Sequence, residues 1–91
     1  MERTITLTLP NTPAREAIAR STVLSLAVRA GLAPLAADRA GASAAAAVAE
    51  AGPGVATLVA TADGAATTVR ISAGDGFERV LRLERAPLRS V

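Results

Sequence analysis

The chain has 91 residues, ten of them arginine and eight acidic, so its formal net charge is only +2 and no polybasic tail is present. It contains no histidine and no cysteine, which excludes imidazole catalysis, thiol chemistry and the common zinc sites. Phe77 is the only aromatic residue and no apolar stretch is long enough to cross a membrane, so we expect one soluble cytoplasmic domain that binds neither nucleic acid nor membrane.

The first segment, Arg3 to Leu9, alternates threonine with aliphatic residues. This period of two predicts a strand with one buried face, closed by Pro10. Asn11 or Thr12 is then expected to cap a helix, with Pro13 in its first turn, where the missing N–H is no loss.

A helix is predicted from there to about Ala30. Gly31 is expected to end it in the left-handed conformation. Arg15, Arg20 and Arg29 lie outside the predicted inward stripe, in which apolar and small residues recur every three or four positions. The members of that stripe are Ala14, Ala17, Ile18, Ser21, Leu24 and Val28.

Pro34 opens a second predicted helix, Leu35 to Ala51, whose candidate inward positions are nearly all alanine, glycine or serine. Such a helix can approach a neighbouring element closely, although Gly41 costs about 1 kcal/mol of helix propensity. The sequence Gly52-Pro53-Gly54 ends the helix. Glu50 lies in its last turn, where a carboxylate opposes the helix dipole at a cost of roughly 0.3–1 kcal/mol.

Three strands are predicted after the second helix. They are Val55 to Ala62, Ala65 to Ser72 and Phe77 to Glu84, joined by turns at Asp63-Gly64 and at residues 73–76. We therefore expect an α+β fold of order β-α-α-β-β-β, a two-layer sandwich with two helices on one face of a mostly antiparallel four-stranded sheet. The expected single domain spans residues 1–91, with a frayed tail at 86–91.

The other face of this sheet is predicted to be open to water. Its expected members are Thr4, Thr6, Thr8, Arg70, Arg82 and Glu84. If this end of the chain were helical, a basic stripe would run along it, made of the arginines at 79, 82, 85 and 89. Such a stripe could bind the phosphate backbone of a nucleic acid. The alternation of apolar residues favours the strand.

The segments TLTLPNTP, AREAIARSTVLSLAVRAGL, ADRAGASAAAAVAEAGPGVATL and VRISAGDG together resemble the anti-sigma factor serine kinases of the histidine-kinase-like ATPase superfamily, the Bergerat fold, over Thr4 to Gly76. The resemblance implies that Glu50 takes the role of the glutamate that orients or activates the attacking group. It also implies a nucleotide-binding loop at Ser72, Gly74, Asp75 and Gly76. The family's magnesium-holding asparagine is replaced by Gly54, and its adenine-reading aspartate by Ser72.

These departures weaken the implied nucleotide site. A glycine cannot ligate magnesium, and a serine loses the charge-assisted contact to adenine, worth about 1–2 kcal/mol. No room is left for a nucleotide lid before Phe77. We therefore expect a non-catalytic regulatory module without cofactor or metal, which binds a sigma-like factor or its antagonist through the first helix and the arginine-bearing surfaces. The thin core gives a reason to bury more surface, either in such a complex or in a homodimer.

Two other functions remain open from the sequence. The first is an ATP- and magnesium-dependent serine/threonine kinase of the anti-sigma type, with Asp75 in the adenine role. The second is a small structural or oligomerisation module without a ligand. Glu50 has a plain alternative as a solvated residue at a helix end, and both Asp-Gly pairs have one as ordinary hairpin turns.

Overall fold

The computed structural model describes residues 3–63, 66–74 and 76–84. Its elements in chain order are β1 (Arg3–Leu9), α1 (Arg15–Arg29), α2 (Pro34–Glu50), β2 (Ala56–Asp63), β3 (Ala66–Ala73) and β4 (Phe77–Glu84). The strands form one sheet in the order β1-β2-β3-β4, and every neighbouring pair is antiparallel. The predicted α+β fold is confirmed. The predicted tail at 86–91 and the central positions of both Asp-Gly turns, Gly64 and Asp75, lie outside the described residues.

The core lies between the helices and one face of the sheet. Leu7 of β1 is paired with Leu58 of β2, which is paired with Ile71 of β3. Directly paired residues share a face, and Leu58 and Ile71 are fully buried. Phe77, Leu81 and Leu83 lie on this same face of β4, as the sequence predicted.

The opposite face of the sheet carries the residues that the sequence assigned to it. Its central row runs from Thr6 through Val59 and Arg70 to Val80. Val80 is 51% exposed. No helix of the described part packs on this face, so it is open to solvent or to a partner.

The start of α1 differs from the sequence prediction. The helix begins at Arg15 without a side-chain cap, so the predicted capping by Asn11 or Thr12 is wrong. A backbone turn takes its place, in which the N–H of Thr12 donates to the carbonyl of Pro10 and the N–H of Arg15 donates to the carbonyl of Thr12. Pro13 consequently precedes the helix instead of lying in its first turn.

The buried face of α1 also differs from the prediction. Its buried residues recur every four positions at Arg15, Ala19, Val23 and Ala27. The predicted inward stripe is wrong, since five of its six members are exposed and only Leu24 is partly buried. The helix carries aliphatic and small residues on both sides, and periodicity alone cannot choose between two such stripes.

The end of α1 follows the prediction. Gly31 has a φ of 92°, and its N–H donates to the carbonyl of Val28 at 3.0 Å. The N–H of Leu32 donates to the carbonyl of Ala27, also at 3.0 Å. These two bonds form the Schellman motif, which satisfies the last carbonyls of the helix and turns the chain towards α2.

A seam of small residues joins the two helices. The buried residues of α2 are Ala37, Gly41, Ala44, Ala47 and Val48. A Cβ atom placed on Gly41 would lie 3.0 Å from the carbonyl oxygen of Arg20 and 3.5 Å from Cβ of Leu24. The close approach predicted from the composition of α2 is therefore real at Gly41.

Candidate functional site

The C-terminal end of α2 is held by a buried arginine from α1. Nη1 of Arg15 donates to the carbonyl of Gly54 at 2.7 Å, and Nη2 donates to the carbonyls of Val48, at 3.3 Å, and Gly52. Arg15 is only 7% exposed. We call this arrangement of Arg15 and the three carbonyls the α2 clasp.

The antiparallel packing of the helices explains the clasp. It places the first turn of α1 beside the last turn of α2, where helix carbonyls lack intrahelical partners and the dipole favours a positive charge. Gly52 and Gly54 have φ values of 74° and 109°, which glycine adopts without strain, and they allow the loop to turn back on the helix. Arg15 therefore joins the ends of the two helices, and none of its contacts with the described residues is to an acidic side chain.

Glu50, the predicted catalytic residue, lies on the outer side of the same helix end. Its carboxylate accepts a hydrogen bond from Nη2 of Arg79 at 3.0 Å, and its side chain is 59% exposed. The Arg79 guanidinium lies 4.9 Å from the centre of the Phe77 ring. Arg79 thus supplies the positive charge that offsets the unfavourable position of Glu50 near the helix C-terminus.

The predicted nucleotide-binding residues lie at the end of β3 and in the turn that follows. Ser72 is half-buried and is paired with Thr57 and with Glu78 on the open face of the sheet. Gly74 and Gly76 belong to the turn, where Gly76 has a φ of 82°. Asp75 lies outside the described residues.

The sheet separates Glu50 from Ser72. Arg79, which holds Glu50, is paired with the buried Ile71 and so lies on the helix side. Ser72 is the next residue along β3 and therefore points to the opposite side. The structure does not bring these two predicted site residues together. Within residues 3–63, 66–74 and 76–84, no three histidine, cysteine or acidic side chains are grouped as metal ligands would be.

The sequence interpretation missed Arg15, which it placed outside the inward stripe of α1. One signal could have identified it. An arginine at the start of one helix can reach the end of the next, and α2 ends in Gly52-Pro53-Gly54 without a basic residue of its own in the last turn. Arg15 also lies at four-residue spacing from Ala19, Val23 and Ala27, an alternative apolar stripe on which it is the first member.

Comparison of the chain with protein-family models, with curated proteins and with solved structures found no match. Among the described residues, neither helix has the length and apolarity that a membrane crossing requires.

Proposed function

We propose that the chain is a non-catalytic regulatory module that acts by binding another protein. The observation that carries this proposal is the separation of Glu50 and Ser72 on opposite sides of the sheet. A phosphoryl-transfer site needs its activating group and its nucleotide-holding groups around one reacting phosphate. Here the Glu50 carboxylate is already engaged by Arg79, on the far side of the sheet from Ser72.

Two exposed surfaces support protein binding. On α1, Ile18 and Val28 are 41% and 58% exposed. On the open face of the sheet, Val80 is 51% exposed and has two ion pairs beside it. These pairs are Arg70 with Glu78, at 3.7 Å between Nε and Oε2, and Arg82 with Glu84, at 3.2 Å between the same atom types. Burial of the exposed aliphatic side chains would supply the apolar contacts of an interface, and the ion pairs beside Val80 would lie in its polar part.

The resemblance to the anti-sigma factor serine kinases suggests the class of partner. A sigma-like factor or its antagonist is the first candidate, and the cytoplasm is the proposed place of action. Partner binding in this proposal requires no nucleotide. Gly54 stands where the family has its magnesium-holding asparagine, and Ser72 stands where it has its adenine-reading aspartate.

Calorimetric titration with ATP and magnesium tests whether the chain binds nucleotide. We expect no binding at micromolar concentrations, and the same result for Glu50→Ala and Asp75→Asn. Micromolar binding that disappears in either variant would contradict the proposal and favour the ATP-dependent kinase.

Capture of proteins from the native cell lysate tests the binding surface. We expect a specific partner that is retained by the wild-type chain and lost with Val80→Asp or Val28→Asp, both outside the residues that the dimer proposed below would cover. The matched control is Leu35→Asp, since Leu35 is a 64% exposed aliphatic residue at the start of α2 and belongs to neither α1 nor the sheet. A chain that captures nothing would favour the small structural module instead.

A further inference from the structure

The two edges of the sheet differ in how they are protected against pairing with another strand. The edge strand β4 carries four charged residues, Glu78, Arg79, Arg82 and Glu84. The edge strand β1 carries none from Thr4 to Leu9, contains no proline there, and its register with β2 is continuous and without a bulge. Charges, prolines and bulges are the usual devices that keep an edge from pairing, so β1 is the unprotected edge.

A second exposed feature lies on α1. Gly41 of α2 contacts Arg20 and Leu24, which defines the side of α1 that faces α2. At 100° per residue, the opposite side carries Ile18, Thr22 and Leu26, with Arg29 at its C-terminal end. Ile18 is 41% exposed, Thr22 and Leu26 are half-buried, and Arg29 is exposed.

These two features share one side of the molecule. Helix α1 contacts β1 and β3, whereas α2 contacts β3 and β4, so the side of α1 away from α2 lies towards the β1 edge. Below it, on the helix side of β1, Ile5 is 49% exposed and Leu7 is half-buried. We call the following residues, with the free edge of β1, the β1-side surface: Ile5, Leu7, Ile18, Thr22 and Leu26.

We propose that a second copy of this chain covers the β1-side surface, with β1 paired antiparallel to β1 of the copy around a two-fold axis perpendicular to the sheet. Such an axis joins the two sheets into one of eight strands and turns the exposed sides of both α1 helices towards each other. A single added peptide strand would cover the edge of β1 and leave Ile18 exposed. A partner with the same two layers covers both.

The sequence of β1 is complementary to itself in this arrangement. With Thr6 on the axis, Ile5 of one copy lies opposite Leu7 of the other, and threonines lie opposite threonines on the open face. The two Arg3 residues fall at opposite ends of the strand pair, about 20 Å apart at 3.3 Å per residue. Their repulsion is screened at that separation.

The area of the β1-side surface determines how tightly two copies are expected to bind each other. Seven residues of β1 span about 23 Å, and the shortest extent of the molecule is 18 Å. The flat area is therefore about 400 Å² per copy, or about 800 Å² in total, which is below the range of stable specific interfaces and in that of weak, transient ones. We expect a dimer that dissociates on dilution.

Sedimentation analysis from about 1 µM to about 1 mM tests the proposal. The wild-type mass should rise from 9.1 kDa towards twice that value. Ile5→Lys and Ile18→Lys should each raise the dimer dissociation constant at least about tenfold, since each places a charge in the interface. Val80→Lys and Val28→Lys are the matched controls, on a strand and on α1 respectively, and should change the constant less than about twofold.

Single cysteines give a second readout, because the chain contains none of its own. Cα atoms paired across antiparallel strands lie about 4.5–5.5 Å apart, within the range that a disulfide spans. Of Thr4→Cys, Thr6→Cys and Thr8→Cys, the one on the axis should cross-link two copies under oxidation, and Val80→Cys should not.

Three results would overturn the proposal. The first is a wild-type chain that stays monomeric over the whole concentration range. The second is a dimer weakened by Val80→Lys or Val28→Lys but not by Ile5→Lys. The third is the absence of a cross-link at all three threonine positions. Circular dichroism of each variant shows whether it is folded. The dimer does not depend on the proposed regulatory function, and the nucleotide titration does not report on it.

Discussion

Two arginines reach the same end of α2, and they act in different surroundings. Arg15 comes from α1, is 7% exposed and donates to three backbone carbonyls. Arg79 comes from β4 and binds one carboxylate, that of Glu50, with both side chains more than half exposed. A hydrogen bond from a charged donor contributes about 1.5–3 kcal/mol, whereas an exposed ion pair contributes about 0–1 kcal/mol. The contact of Arg15 is therefore the more stabilising of the two.

This difference changes the interpretation of Glu50. A carboxylate in the last turn of a helix is unfavourable, which made it a candidate for a functional role. The structure supplies two positive charges at this helix end, one buried and one at the surface, and together they offset that cost. A residue in an unfavourable position along its own helix is thus explained by its partners in other elements.

The largest expected effect on stability comes from removing the buried guanidinium of Arg15. Arg15→Met keeps most of the apolar stem but leaves the carbonyls of Gly52 and Gly54 without their donor, so we expect the free energy of unfolding to fall by about 3 kcal/mol. The midpoint of thermal unfolding should fall by roughly 15 °C. Urea denaturation at one low protein concentration measures the change independently of dimer formation.

Arg29→Met is the matched control for Arg15→Met. Arg29 is exposed and lies at the other end of the same helix, and its loss should cost less than about 1 kcal/mol. Equal effects of the two substitutions would contradict a stabilising α2 clasp.

The next largest expected effect on stability comes from a substitution in the seam of small residues between α1 and α2. In Gly41→Leu, the side chain must enter a space where a Cβ atom already lies 3.0 Å from the carbonyl oxygen of Arg20. Overpacking of this kind costs about 3 kcal/mol, and the gain in helix propensity returns about 1 kcal/mol. We expect a net loss of about 2 kcal/mol in the free energy of unfolding by urea denaturation.

Ser43→Leu is the control for the seam, since Ser43 is exposed on the same helix. It should change stability by less than about 0.5 kcal/mol. If Gly41→Leu were as mild as this control, the helices would be able to move apart, and the clasp would not depend on their close approach.

The sequence was sufficient for the fold because local patterns determine its elements. The strict alternation of residues 3–9 predicted a strand, and Gly31 predicted the end of the first helix. The structure has both as predicted. The bounds of β4 were also predicted correctly. The small residues of α2 indicated a close helix contact, and Gly41 lies at its centre.

The inward face of α1 and the surroundings of Glu50 could not be obtained in this way. Both stripes on α1 contain aliphatic and small residues, and the buried one begins with Arg15, which bonds to carbonyls more than 30 residues away. The partner of Glu50 is Arg79, 29 residues away along the chain. Contacts of this kind are tertiary, and a pattern within one element contains no information about them.

The smallest expected effect on stability comes from the exposed ion pair of Glu50 and Arg79. It is also the sharpest test of the contrast between Arg15 and Arg79. Glu50→Ala and Arg79→Ala, combined in a double-mutant cycle, should show a coupling energy of about 0.5 kcal/mol. The coupling should disappear in 1 M salt, where the screening length is about 3 Å. Glu50→Ala alone should be nearly neutral, because it removes the ion pair and the unfavourable charge at the helix end together. A coupling above about 2 kcal/mol would mean that Glu50 and Arg79 form more than a surface pair, and Glu50 would again be a candidate for a functional role.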